Sequence, residues 1–228
     1  MTAPANSIPA PFCHGMTEHP NAAEERLRIS KLPPTNPSHS SCSPPSPLSV
    51  HIMHGLAYTV GSALGSTPPS TEACRSAFVY PNKAGLTAGA RAWAKHSHRS
   101  QGDRGEGESA IEGPGCSINN CYNRKGQPSS TGWWGTPSGP VAHINERALL
   151  LFWKIMDRAS WRNLHWLPHR VLTYEVRVPE GYGMRWSQDQ STINGEDDDG
   201  TTCADRPWIF RGFIEPMMDN GHEVGWRH

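Results

Sequence analysis

The sequence predicts an α+β fold: two helices packed on a small antiparallel sheet, preceded by a long disordered Pro/Ser-rich arm. Three observations carry that reading. Apolar residues recur at helical spacing from His143 to Trp161, and side chains alternate in character from Val171 to Val178. All nine tryptophans lie after residue 92, while prolines crowd the first 81 positions. Large aromatic side chains bury the most area per residue, so the core belongs to the C-terminal part. The boundary falls near residue 85, leaving residues 86–228 as a single domain, long enough to bury its own core.

Residues 1–85 read as a mostly disordered arm. Segments such as LPPTNPSHSSCSPPSPLS hold too little apolar surface to offset the entropy of ordering them, and their prolines remove backbone donors. Within the arm, NAAEERLRISK (Asn21 to Lys31) suggests a short helix capped by Asn21, too poor in apolar residues to dock firmly. Residues 48–64 are more apolar and suggest one short packed segment. His51 and His54 within it lack acidic or cysteine company, so the pair reads as incidental rather than metal-binding.

The folded part begins near Leu86. Leu86, Ala90, Trp93 and Ala94 fall on one face of a helix, whose end carries the KHSHR cluster at 95–99. Positive charge there suits the helix dipole, so the cluster reads as a solvated helix end. Residues 101–132 form a Gly-, Pro- and Ser-rich flexible insertion, and 190–206 a second, acidic one. Trp133 or Trp134 should pack back on the domain. From His143 to Trp161 the stripe Ile144, Ala148, Leu149, Phe152, Ile155, Met156 and Ala159 defines the clearest helix, with no Gly or Pro interrupting it.

A strand and hairpin follow. From Val171 to Val178, Leu172, Tyr174, Val176 and Val178 face the core, while Val171, Thr173, Glu175 and Arg177 face the other way. Pro179 to Gly183 supplies a turn with two glycines free to take positive φ, Met184 to Trp186 returns antiparallel, and WIFRGFI (208–214) adds a further strand. This arrangement gathers Glu175, Arg177, Arg185 and Arg211 on one sheet surface, with His165, His169 and His222 near its edges.

Arginine offers a planar fork of donors suited to phosphate or carboxylate, and histidine moves protons near neutral pH. The cluster therefore suggests an anion pocket: Arg177, Arg185 and Arg211 as substrate-binding clamp, Glu175 orienting, and His165 or His222 as acid–base. Its competitor is a cross-strand ion-pair network in which Glu175 bridges arginines and does no chemistry.

No metal or other cofactor is expected. His165 and His169 have zinc-helix spacing, but Pro168 pushes Leu167 into an extended conformation. His96 and His98 followed by Cys116 and Cys121 run in reversed order for a zinc site, and the acidic run at 196–199 lacks calcium-loop spacing. With 21 basic and 21 acidic side chains, there is no strong nucleic-acid signal. No apolar run is long enough to cross a membrane. Six cysteines are too sparse for a disulfide scaffold, and no leader pattern opens the chain. These features point to the cytoplasm, with the nucleus left open.

RAWAKHSHRS, WRNLHWLPHRVLTYEVRVPEGYGMRWSQD and PWIFRGFIEPMMDNGHEVGWRH together resemble a group of uncharacterised fungal proteins, with more distant counterparts in plants. The likeness covers most of 89–228 and skips much of 101–132 and 190–206. It implies no residue roles. The function that the residues suggest is a metal-independent enzyme acting on a phosphorylated or other anionic substrate. The alternative is a non-catalytic interaction domain that binds a protein partner through exposed tryptophans.

Overall fold

The computed structural model describes residues 8–31, 44–97, 132–191 and 206–217. Their architecture is α+β. Five helices are present among these residues, α1 (Asn21–Ser30), α2 (Pro47–Met53), α3 (Thr71–Val79), α4 (Ala88–His96) and α5 (Val141–Arg158). Four strands, β1 (Trp161–Leu167), β2 (Val171–Arg177), β3 (Gly183–Asp189) and β4 (Ile209–Ile214), form an antiparallel sheet in the order β1-β2-β3-β4. The chain divides into two compact units, residues 1–78 with 154–228, and residues 79–153.

The sheet belongs to the first unit. Leu164, Leu172, Tyr174, Val176, Met184, Trp186, Phe210 and Phe213 are all buried on one of its faces. Phe78 of α3 meets Phe210 and Phe213 edge-on, at 4.8 and 6.0 Å between ring centroids. The Trp186 indole donates to the Cys74 carbonyl at 3.1 Å, so the buried N–H is satisfied as burial demands. The expected core-facing alternation of β2 holds, and its other face is buried too.

Two details of the hairpin differ from expectation. Gly181 has φ +97, but Gly183 does not lie at positive φ. Gly183 is needed for space instead: a Cβ there would stand 2.2 Å from the Val176 carbonyl oxygen. The long helix also ends at Arg158, and Trp161 opens a strand, β1, where the helix had been expected to continue.

The fold has more helices than the two expected, because three lie in the stretch assigned to a disordered arm. Polar and backbone contacts hold much of that stretch where apolar area is scarce. Arg26 of α1 donates twice to Glu18, at 2.6 Å each, and Glu18 accepts from the Tyr58 backbone N–H at 2.9 Å. Ser46 caps α2, and Ser49 donates to Glu25 at 2.7 Å. Ile52, Leu56, Ala57 and Ala63 are fully buried, so the packed segment foreseen at 48–64 exists. Residues 57–63 also line edge strand β1: Ala57 N–H donates to Arg162, Ala63 N–H to Leu164, and Trp166 N–H to Gly61. Covering an edge in this way satisfies backbone groups that would otherwise be left open.

In the second unit, the Thr87 hydroxyl caps α4 by accepting from Ala90 N–H at 3.2 Å. Trp93 is buried and donates to the Trp134 carbonyl at 2.9 Å, and Arg147 lies 5.5 Å above the Trp93 ring. Trp134, as expected for one of the pair, is buried. On α5, Ala148, Leu151, Phe152, Ile155 and Met156 are buried, whereas Leu150 and Trp153 are exposed. The expected insertions fall largely on 98–131 and 192–205, outside the described residues, as do His98, Cys116, Cys121 and His222.

Candidate active site on the sheet

Opposed residues of an antiparallel pair share a face. The register therefore builds the second face in rows. His165, Thr173 and Ser187 stand in one row. Asn163, Glu175, Arg185 and Gly212 form the next, and Trp161, Arg177, Gly183 and Ile214 the last.

Glu175 is the hub. Its Oε1 accepts from Arg177 Nε at 2.5 Å, and its Oε2 accepts from Arg185 Nε and Nη2 at 3.1 and 2.7 Å. Burial opposes the ionisation of this carboxyl most strongly. The charges and hydrogen bonds of the two arginines together outweigh it and hold Glu175 below the usual carboxylate range.

The two arginines are not equivalent. Arg177 is 2% exposed, and its Nη1 donates to the Gly181 and Glu215 carbonyls at 2.7 and 3.0 Å. It ties the hairpin turn to the end of β4 and is closed to a substrate anion. The Arg185 side chain keeps a third of its surface in solvent. Arg211 does not join the cluster. A bulge in the β3–β4 pairing sets Gly212 opposite Arg185, and Arg211 is exposed. A clamp of three arginines is therefore not assembled.

His165 stands one row from Glu175. Burial holds its imidazole below the ordinary histidine value, with Glu175 opposing that effect and Arg185 reinforcing it. His165 Nδ1 and the Thr173 hydroxyl are both buried, and neither has a hydrogen-bond partner among the described residues. Two unsatisfied polar groups on directly opposed residues are unusual in a folded interior, where such groups are normally paired. Asn163 is held by Thr59, which accepts from its Nδ2 at 3.1 Å. Cys13 and Ala57 pack with Trp161 at the far end of this face.

Sequence reasoning reached Glu175, Arg177, Arg185 and His165, and the structure brings these four onto one face. It missed Asn163 because β1 was not recognised. Thr173 and Ser187 were legible as the neighbours two positions from Glu175 and Arg185, but neither hydroxyl had been given a role. His169 lies in the β1–β2 turn, away from Glu175. Among the described residues, no group of three or more His, Cys, Asp or Glu is placed to hold a metal ion, and no helix is long and apolar enough to cross a membrane.

Fold and site together define an α+β chain with a charged, partly unsatisfied polar face on an antiparallel sheet. A protein-family model described as the CdiA C-terminal tRNase toxin domain matches residues 108–195, a span that contains α5, β1, β2 and β3. His165, Thr173, Glu175, Arg185 and Ser187 all lie inside the matched stretch. No curated protein and no solved structure matches the chain. The similarity runs against the absence of a nucleic-acid signal in the overall charge. Net charge averages over the chain and is blind to one sheet face.

Proposed function

We propose that the chain is an RNA-cleaving enzyme that transfers a phosphodiester to the neighbouring 2′-hydroxyl. The observation that supports this most is the pairing of a half-buried histidine with a solvent-reaching arginine on one sheet face, inside the stretch similar to a tRNase domain. His165, held neutral by its surroundings, takes the proton from the attacking 2′-oxygen. Arg185 stabilises the charge that builds on the phosphoryl oxygens, and the bond to the 5′-oxygen breaks. Glu175 is ionised and fully engaged, so it orients Arg185 rather than carrying protons. Arg177 supports Glu175 from the buried side. His222 is the candidate for protonating the leaving oxygen. None of these steps routes through a metal ion.

The test is incubation of the purified chain with transfer RNA, and with a labelled oligoribonucleotide, in the presence of a chelator. Cleavage to products ending in a 2′,3′-cyclic phosphate, with the matching DNA left intact, is the expected result. Arg185→Ala should lower the cleavage rate while the melting temperature falls only modestly. Intact RNA, or cleavage abolished by the chelator, overturns the reading. The competing interaction-domain reading retains one observation: Trp166 and Leu167 are adjacent and exposed at 40% and 42%.

A further inference from the structure

Turn positions that need positive φ favour glycine or asparagine, because most side chains resist that conformation. The three-residue β1–β2 connection, Pro168–Arg170 between the paired Leu167 and Val171, does not follow that preference. His169 sits at φ 62, ψ 31 and Arg170 at φ 57, the two non-glycine residues at positive φ among those described. Pro168 precedes them, and the Arg170 carbonyl accepts from Gln190 N–H at 3.0 Å, so the backbone is held there from both sides. Strain of this kind persists where the surroundings over-determine it, and it tends to mark functional positions.

The side chains that this backbone presents have nothing to do within the described protein. Pro168, His169 and Arg170 are exposed, and neither His169 nor Arg170 makes a side-chain hydrogen bond or ion pair among the described residues. Trp166, at the end of β1 and opposite Leu172 on the other face of the sheet from His165, exposes 40% of its surface, and its indole N–H has no partner there either. A cation and an imidazole on the turn, with an exposed indole beside it, are the groups that hold single-stranded nucleic acid: arginine for phosphate, aromatic rings for bases. The tip is also correctly placed. Arg170 stands about 10 Å of extended chain from Thr173, which is directly opposite His165.

We infer that the β1–β2 tip, through Trp166, His169 and Arg170, grips the single-stranded RNA that flanks the cleaved phosphodiester. This rests on the proposed RNA-cleaving activity and adds to it the surface that positions the substrate. Arg170 contacts a phosphate where the RNA strand crosses the tip, Trp166 stacks on a base that has passed to the other face, and the left-handed turn is the cost in stability of aiming His169 and Arg170 outward.

The test is fluorescence anisotropy with a labelled 2′-O-methyl oligoribonucleotide, which binds but cannot be cleaved through its 2′-oxygen. The double variant His169→Asn with Arg170→Gly gives the turn its preferred residues. Its melting temperature should rise by about 2–4 °C, while RNA affinity falls by about tenfold and the salt dependence of binding loses about one phosphate contact. Trp166→Ala should weaken binding by a similar factor with the salt dependence unchanged. Wild-type affinity in both variants overturns the inference and leaves the catalytic reading standing. A double variant with a lowered melting temperature also overturns it, because the turn would then be optimised for stability. A wild-type chain that does not bind the oligoribonucleotide overturns the RNA reading and this inference together.

Discussion

The two faces of the sheet are buried to similar extents and held in different ways. On one face, Leu172, Tyr174, Val176, Met184, Trp186, Phe210 and Phe213 gain stability from area removed from water, a non-directional effect that tolerates repacking. On the other, Asn163, Thr173, Glu175, Arg177 and Ser187 are also buried, but each polar group must find a specific partner. At the Trp161 end Glu175 and Arg177 engage one another and nearby carbonyls, and one buried group there, the Trp161 indole N–H, is unpaired among the described residues. At the His165 end two such groups, His165 Nδ1 and the Thr173 hydroxyl, are unpaired among the described residues and stand on directly opposed positions. Burial alone does not separate the two ends of this face; the two unmet hydrogen bonds on opposed residues do.

The largest effect should come from cutting the hub. Glu175→Ala leaves the Arg177 guanidinium buried without its counter-charge, which should cost about 3–5 kcal/mol of unfolding free energy in denaturant titration. Replacing Glu175, Arg177 and Arg185 together by apolar residues of similar volume should cost far less. If the triple change costs as much as the single one, the cluster does more than satisfy its own charges.

The next effect is on chemistry. His165→Ala should lower RNA cleavage by about 10²–10⁴-fold, the range for loss of a general base, with the melting temperature unchanged or slightly raised. The rise would come from removing an unsatisfied buried nitrogen. A variant that unfolds and loses activity in parallel would assign His165 to the structural end of the face.

On the apolar side, Trp186→Phe keeps most of the ring area but leaves the Cys74 carbonyl without its donor. A loss of about 1–3 kcal/mol is expected in the same titration. A loss as large as that of Glu175→Ala would mean that the two faces are not held differently after all.

The smallest effect should appear on acidification. His165 and Glu175 both have folded values below their ordinary 6.5 and 4.5. A depressed value means stability that is fully present above the ordinary value and lost as pH falls through the folded one. Melting temperature should therefore begin to decline below pH 6.5 through His165 and the likewise lowered His51, and decline again below pH 4.5 through Glu175 and other lowered carboxyls, Glu25 and Glu180 among them. His165→Asn should reduce the first decline to the part due to His51 and leave the second. An unchanged upper decline in that variant would point to another titrating group.

Much of the candidate face could be read from residue order because strand alternation is local. Thr173, Glu175 and Arg177 share a face whatever the tertiary structure, and the turn after Val178 brings Arg185 back beside Glu175. Helix α5 was legible for the same reason, since its stripe repeats at helical spacing over several turns. Strand β1 was not. WRNLHWL mixes apolar and polar residues without clear alternation, and its burial comes partly from residues 57–63, more than a hundred positions earlier. Arg211 was misassigned because a bulge shifts the register by one, and no pattern in the chain announces it.

The sequence by itself determined the fold class, the two-faced strand β2 with its hairpin, and the residue types that a phosphate-directed site would use. These follow from periodicity and side-chain chemistry, which act over a few residues. The tertiary structure decided which arginine is closed off and which reaches solvent, because exposure depends on what packs above the sheet. It also ordered part of the expected arm: Glu18 and the backbone of 57–63 find partners across long stretches of chain. Contacts of that range leave no periodic trace in a sequence, since the residues that make them can lie at any separation.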